Sequence, residues 1–197
     1  MREQRLLCKK ENLILILNPL KKLAGQTAIY GVSSVIGRLL NYLLVPLYTR
    51  YFVPSEYGVV TEVYAYVAFL IIILTYGLET AFFHFSKKEK EANVVYSTSL
   101  ISLIVSSSIF ILLMFIGSSS ISNYLGEGIE TRYIQWFAII VGVDAISAIS
   151  FAKLREEERA IRFATIKLAG IFINIFLNCY FIIYKELGIE YIFISNL

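Results

Sequence analysis

An all-α fold, a polytopic bundle of membrane-spanning helices, is predicted by three features of the 197-residue sequence. Apolar stretches of about 20 residues recur along it, the length needed to cross a hydrocarbon core about 30 Å thick. The connectors between them alternate between rich and poor in Lys and Arg, as in chains whose loops are sorted by charge. Composition agrees, with 57% hydrophobic and 17% charged residues and a mean hydropathy of +0.68, whereas soluble domains carry about 25% charged residues. These values argue against a soluble enzyme.

Five spans are expected, at roughly 27–48, 59–83, 94–117, 133–151 and 163–184, within a membrane domain of residues 23–197. Residues 1–22 are read as a cytoplasmic tail: the apolar run Leu13 to Leu17 is shorter than the roughly 7 to 15 residues of a signal-peptide core and has no small-residue cleavage site after it. After Glu190 the run Tyr191 to Leu197 reads as the first turns of a sixth span. A half-span ending in lipid leaves backbone groups unsatisfied, so the expectation is an N-terminal fragment of a larger protein.

Charge sets the expected orientation, because Lys- and Arg-rich loops stay cytoplasmic. Arg2, Arg5, Lys9, Lys10, Lys21 and Lys22 precede span 1; Lys87, Lys88 and Lys90 follow span 2; Lys153, Arg155, Arg159 and Arg162 follow span 4. The alternate connectors hold only Arg50, Arg132 and Lys185. The N-terminus is therefore expected inside, with 50–58, 118–132 and 185–190 outside. Tyr48, Tyr51, Phe52, Tyr57, Tyr124 and Tyr133 cluster at the outer ends, like an interfacial aromatic belt. A net charge of +3 distributed in this way points to topology and not to nucleic acid.

Polar residues within spans carry the functional signal. In span 1, Thr27, Gly31, Ser34, Arg38, Asn41, Val45 and Tyr48 recur at steps of four and three, which puts them on one helix face. Ile29, Val32, Ile36, Leu39, Leu40, Leu43 and Leu47 occupy the other. Arg38 lies at mid-span, where an unpaired guanidinium is costly, so it reads either as a functional cation or as half of a structural ion pair. Asp144 lies near the middle of span 4, at about the same depth as Arg38 given a rise of about 1.5 Å per residue. It is a candidate partner for Arg38 or a proton or sodium coupling site. Span 5 adds Lys167, Asn174 and Asn178 and span 3 adds Ser99, Ser102 and Ser106, a pattern that also suits interhelical hydrogen bonding. Arg155, Arg159 and Arg162, interleaved with Glu156, Glu157 and Glu158, read as a solvated anchor. Cys8 and Cys179 are far apart, and His84 is the one histidine. No disulfide framework or metal site is indicated, no phosphate loop or nucleophile elbow is present, and neither an enzyme nor a cofactor is expected.

The run from Leu23 to Gly31, the segment LLVPLYTRYFVPSEYG (43–58), TEVYAYVAFL (61–70), YGLETAFFHF (76–85) and LREEERAIRF (154–163) resemble bacterial polysaccharide biosynthesis proteins. These are Wzx-type flippases for lipid-linked oligosaccharides, within the multidrug, oligosaccharidyl-lipid and polysaccharide exporter superfamily, and the resemblance runs from about Pro19 onward. It implies a transporter of about 12 to 14 helices in two lobes, of which this chain is most of the first. It further implies a place in the bacterial cytoplasmic membrane and a role in surface polysaccharide synthesis of the O-antigen or lipopolysaccharide kind. The cargo would be undecaprenyl-pyrophosphate-linked oligosaccharide, and the partners the bilayer, a polysaccharide polymerase and glycosyltransferases. Arg38 would then meet cargo phosphates, with Asn41, Asn174 and Asn178 meeting sugar hydroxyls and Asp144 holding Arg38 or sensing a coupling ion. The family often has Arg where this chain has His84, and the prelude before Asn18 is atypical. A multidrug-type cation antiporter of the same superfamily and a truncated, non-transporting remnant are the alternatives.

Overall fold

The computed structural model describes residues 2–88, 92–125 and 129–197, and the side chains among them from Lys21 onward except at 22, 87 and 88. The side chains of Arg2, Arg5, Lys9, Lys10, Lys22, Lys87, Lys88 and Lys90, which carry part of the charge argument, lie outside the described residues. The described chain is helical, without strands: α1 (Arg2–Tyr42), α2 (Leu44–Tyr51), α3 (Pro54–Thr75), α4 (Leu78–Lys88), α5 (Ala92–Leu125), α6 (Thr131–Glu156), α7 (Ala160–Cys179), a π-helical turn (Tyr180–Tyr184) and α8 (Glu190–Asn196). Five segments, Leu23–Tyr51, Pro54–Ser86, Ala92–Leu125, Thr131–Glu156 and Ala160–Tyr184, are long and apolar enough to cross a membrane. Each contains one expected span, and the protein is an all-α, multi-pass bundle.

Two spans that read as continuous in the sequence are broken. Span 1 divides at Leu43 because Pro46 cannot continue a helix: its ring collides with the carbonyl four residues back, at Tyr42. The Leu43 amide accordingly bridges to the carbonyls of both Leu39 and Leu40, each at 3.1 Å. Span 2 divides between α3 and α4, where Tyr76 has φ 33° and Gly77 φ 72°. Glycine reaches this left-handed region without a Cβ penalty. The start of α3 is defined by Pro54, whose missing N–H costs nothing in a first turn, and by Glu56, whose carboxylate accepts the Val53 N–H at 3.3 Å.

Packing centres on α6, the helix with the most buried residues. Ala138, Gly142, Ala145 and Ala152 line its contact face, opposite Ser99, Leu103 and Ser107 of α5. Small residues let two backbones approach, which substitutes for the hydrophobic drive that lipid does not supply. A Cβ on Gly142 would sit 2.7 Å from Ile111 Cδ1. Val60, Val63 and Val67 of α3 join Phe137 and Val141 of α6 and Phe193 of α8 in one apolar cluster. Phe82, Leu103, Ile149 and Ala152 form a second, toward the Lys/Arg-rich end.

The helices fall into two groups. α3, α4, α5 and α6 pack on one another, whereas α1 packs chiefly on α7, and α8 lies against both α6 and α7. The face of α1 turned toward α7 carries Ser33 and Gly37, both buried, and a Cβ on Gly37 would meet Ile171 Cδ1 at 2.6 Å. The packed face is thus displaced by about one residue from the polar stripe. Thr27, Gly31, Arg38 and Asn41 of that stripe are exposed, while Leu40 and Leu47, expected on the lipid side, are half-buried.

Candidate functional site

The polar side chains collect at the junction of the two helix groups. Lys167, one turn along α7 from the buried Phe163, points its ammonium at Ser34 Oγ of α1, 3.4 Å away, and stands 5.4 Å from the Phe163 ring centroid. Arg38 lies four residues beyond Ser34 and hence one turn further along the same face. The Lys167 ammonium thus reaches the same face of α1 that Arg38 occupies one turn on. Arg38 makes no hydrogen bond or ion pair among the described residues, and Lys167 has no carboxylate partner there. Asn41 and Asn174 line the adjoining cleft of about 430 Å³, together with Lys167, Phe151, Ser195 and Asn196.

The expected pairing of Arg38 with Asp144 is not formed. Shared depth says nothing about azimuth, and Asp144 stands on α6 whereas Arg38 stands on α1. Asp144 is exposed on α6, on the same face as Phe151 seven residues on.

Asn174 and Asn178 have more partners than the sequence could specify. Asn178 is 1% exposed; its Oδ1 accepts the Tyr48 hydroxyl at 2.9 Å and its Nδ2 donates to the Asn174 carbonyl at 2.9 Å. Asn174 Nδ2 donates to the Ser195 carbonyl at 2.8 Å and to Asn196 Oδ1 at 2.9 Å, and Asn196 Nδ2 in turn donates to the Tyr64 hydroxyl. A hydrogen-bonded chain therefore runs from α2 through α7 and α8 to α3. With both amides engaged inside the bundle, Asn178 is placed as interhelical glue, and Asn174 is the one of the two that also faces the cleft.

A different cleft, about 230 Å³ between α3, α5 and α6, is lined by Val63, Phe69, Met114, Ile134 and Phe137 among others. Its apolar walls suit a lipid chain and offer an anion nothing.

Residues 47–196 match the family described as polysaccharide biosynthesis protein. The chain belongs to that family. Neither a curated protein nor a solved structure matches it. The matched region of this polysaccharide biosynthesis protein includes Asp144, Lys167, Asn174 and Asn178, while Arg38 and Asn41 precede it.

Two stretches that carried the sequence resemblance, 76–85 and 154–163, meet in space. Arg155 of α6 donates from Nη2 to Glu79 Oε1 of α4 at 2.6 Å. Its guanidinium lies 5.6 Å from the Phe83 ring and 5.8 Å from that of Phe163. Arg155 is thus a half-buried paired cation, not part of a solvated anchor, because α6 packs on α4, and the turn at Glu158, with φ 56°, brings Phe163 of α7 back beside it. Arg159 pairs locally with Glu157 at 2.9 Å, and Arg162 remains exposed. His84 is also exposed, edge-on to Phe85. Lys167 stood out in the sequence beside Asn174 and Asn178 of span 5, but its contact with Ser34 on the Arg38 face depends on how α1 docks on α7.

Proposed function

We propose that this chain forms one wall of a transporter that carries lipid-linked oligosaccharide, an undecaprenyl-pyrophosphate glycan, across the bacterial cytoplasmic membrane with the N-terminus inside. Membership in a polysaccharide biosynthesis family and five membrane-length helices support a membrane step in that biosynthesis. The observation that carries the reading is that the Lys167 ammonium reaches Ser34 on the α1 face that Arg38 shares one turn on, two cations with no carboxylate partner among the described residues. Such a pair is unfavourable in an empty low-dielectric cleft and becomes favourable when an anion arrives. A pyrophosphate matches it: the planar guanidinium can bind two oxygens at once, and the ammonium supplies a compact second charge. Replacing the water around the phosphates in this way lowers the cost of moving the headgroup through hydrocarbon. Asn41 and Asn174, which line one cleft with Lys167, would face the first sugar, and Asp144 on α6 would bind the coupling ion. No bond is made or broken in this scheme, so the activity proposed is transport and not catalysis.

A cation exporter of the same superfamily would need the opposite charge at this place. Two assays separate the readings in the native host. Arg38→Ala and Lys167→Ala should each lower surface polysaccharide at least about tenfold, the equivalent of about 1.4 kcal/mol, at unchanged protein abundance in the membrane. Arg38→Lys should retain part of the activity. Wild-type polysaccharide from the double alanine variant would overturn the proposal, and lost resistance to cationic drugs in its place would favour the exporter.

A further inference from the structure

Helix α4 has three properties that are separately ordinary and together form a device. At one end it is joined to α3 by consecutive left-handed residues, Tyr76 and Gly77, with φ of 33° and 72°. The helical hydrogen-bond ladder stops there, and the Tyr76 N–H turns back to the Ile73 carbonyl at 3.2 Å. The break is pinned from the side, since the Tyr76 hydroxyl pairs with Ser102 Oγ of α5 at 2.6 Å. Along its length α4 rests on the start of α5 through the buried Phe82, and beside that contact a cleft of about 390 Å³, lined by Leu78, Ala81, Phe85, Val94 and Thr98, is left between the two helices. Phe82 is the buried side chain that α4 gives to the second apolar cluster, with Leu78 and Phe83 packed against it. What ties the helix further, toward the α6–α7 corner, is polar: the Glu79–Arg155 contact at 2.6 Å, with the rings of Phe83 and Phe163 at 5.6 Å and 5.8 Å from the guanidinium.

Phe163 belongs to α7, so Arg155 ties α4 to the α1–α7 pair across the junction of the two helix groups. The same ring packs edge-on to Tyr30 of α1 at 5.1 Å and to Phe151 of α6 at 5.4 Å. One guanidinium on α6 therefore touches side chains of both α4 and α7 at this end of the bundle. A single charged clasp beside a helix break and an unfilled cleft is a bistable arrangement: closed with the ion pair formed, open with Arg155 turned to water.

We propose that Glu79 and Arg155 form a clasp that holds α4 closed against the α6–α7 corner, and that Tyr76–Gly77 is the hinge about which α4 swings when the clasp opens. The inference concerns the conformation of this chain and does not depend on the cargo. Surface ion pairs stabilise little, but this one is half-buried and doubly stacked, so removing one partner shifts the balance toward the open form.

The test is a distance between spin labels on His84→Cys in α4 and Arg162→Cys in α7, in full-length protein in lipid nanodiscs with Cys8 and Cys179 replaced by Ser. Glu79→Gln and Arg155→Gln should each lengthen or broaden the distance distribution by more than about 2 Å, beyond a small side-chain adjustment. The exchanged pair Glu79→Arg with Arg155→Glu should return it toward the starting distribution. Should either neutral variant fail to fold, Arg155→Lys, which keeps the charge and loses the planar stacking, should give an intermediate shift. Unchanged distributions in the folded Gln or Lys variants would overturn the clasp. An exchanged pair that folds but stays as open as the neutral variants would overturn it as well.

Discussion

Asn178 and Arg38 show how differently two polar side chains can be treated by the same bundle. Asn178 is buried and fully engaged, accepting from Tyr48 and donating to Asn174. Removing it leaves the Tyr48 hydroxyl without a partner, so Asn178→Leu should destabilise the protein by about 1–3 kcal/mol. Tyr48→Phe alone should cost about 1 kcal/mol, and the double variant less than the sum, because its second change strands no further group. Unfolding of detergent-solubilised protein by a denaturant reads all three; equal and additive costs would remove the Tyr48–Asn178 bond from the account. Arg38 presents the reverse case, exposed and without a hydrogen-bond or ion-pair partner among the described residues, so its substitution should alter export far more than stability. That Arg38 and Asn178 were worth singling out was legible in the sequence, since an ionisable or amide group in an apolar span needs a reason to be there. Which was glue and which was open to a ligand was not, because periodicity fixes a helix face only relative to itself.

At the scale of elements, the spans were legible because the bilayer fixes their length and no soluble alternative satisfies so long an apolar run. Helix breaks at Leu43 and Tyr76–Gly77 interrupt two of them, and each follows from a residue visible in the sequence, Pro46 and Gly77, whose local effect a hydropathy window averages away. The contact between α5 and α6 depends on Gly142, where a Cβ would lie 2.7 Å from Ile111 Cδ1, whereas one on Gly170 would meet nothing within 4 Å. Gly142→Val should therefore cost about 1–3 kcal/mol through overpacking. Gly170→Ala should be neutral or stabilise by up to about 1 kcal/mol, through reduced freedom of the unfolded chain. The same denaturant titration compares them, and equal midpoints would show that the α5–α6 seam yields more readily than its geometry implies.

For the molecule as a whole, the charge alternation predicts that the Lys/Arg-rich ends of the spans share the cytoplasmic side. In a background with Cys8 and Cys179 replaced, Ser120→Cys should react with a membrane-impermeant maleimide on intact cells, and Arg162→Cys only after permeabilisation. Both positions are exposed, so access to the reagent depends on sidedness. The reverse pattern would invert the proposed topology and with it the assignment of an inner end to the Arg155 clasp. The division into an α1–α7 pair and an α3–α6 group also belongs to this scale. Nothing in the order of the spans announces it, since α1 and α7 are distant in sequence.

Length, hydropathy and the placement of Lys and Arg determined on their own that this chain is a bundle of five membrane-length helices, because lipid imposes the same constraint on every segment independently of its neighbours. Ser34 near Lys167, Glu79 on Arg155, Tyr48 on Asn178 and the separation of Asp144 from Arg38 were decided only by tertiary structure. Each of these depends on the rotation of one helix about its axis relative to another. That rotation is set by where small residues such as Ser33, Gly37 and Gly142 permit close approach, a property of pairs of surfaces that no single helix contains.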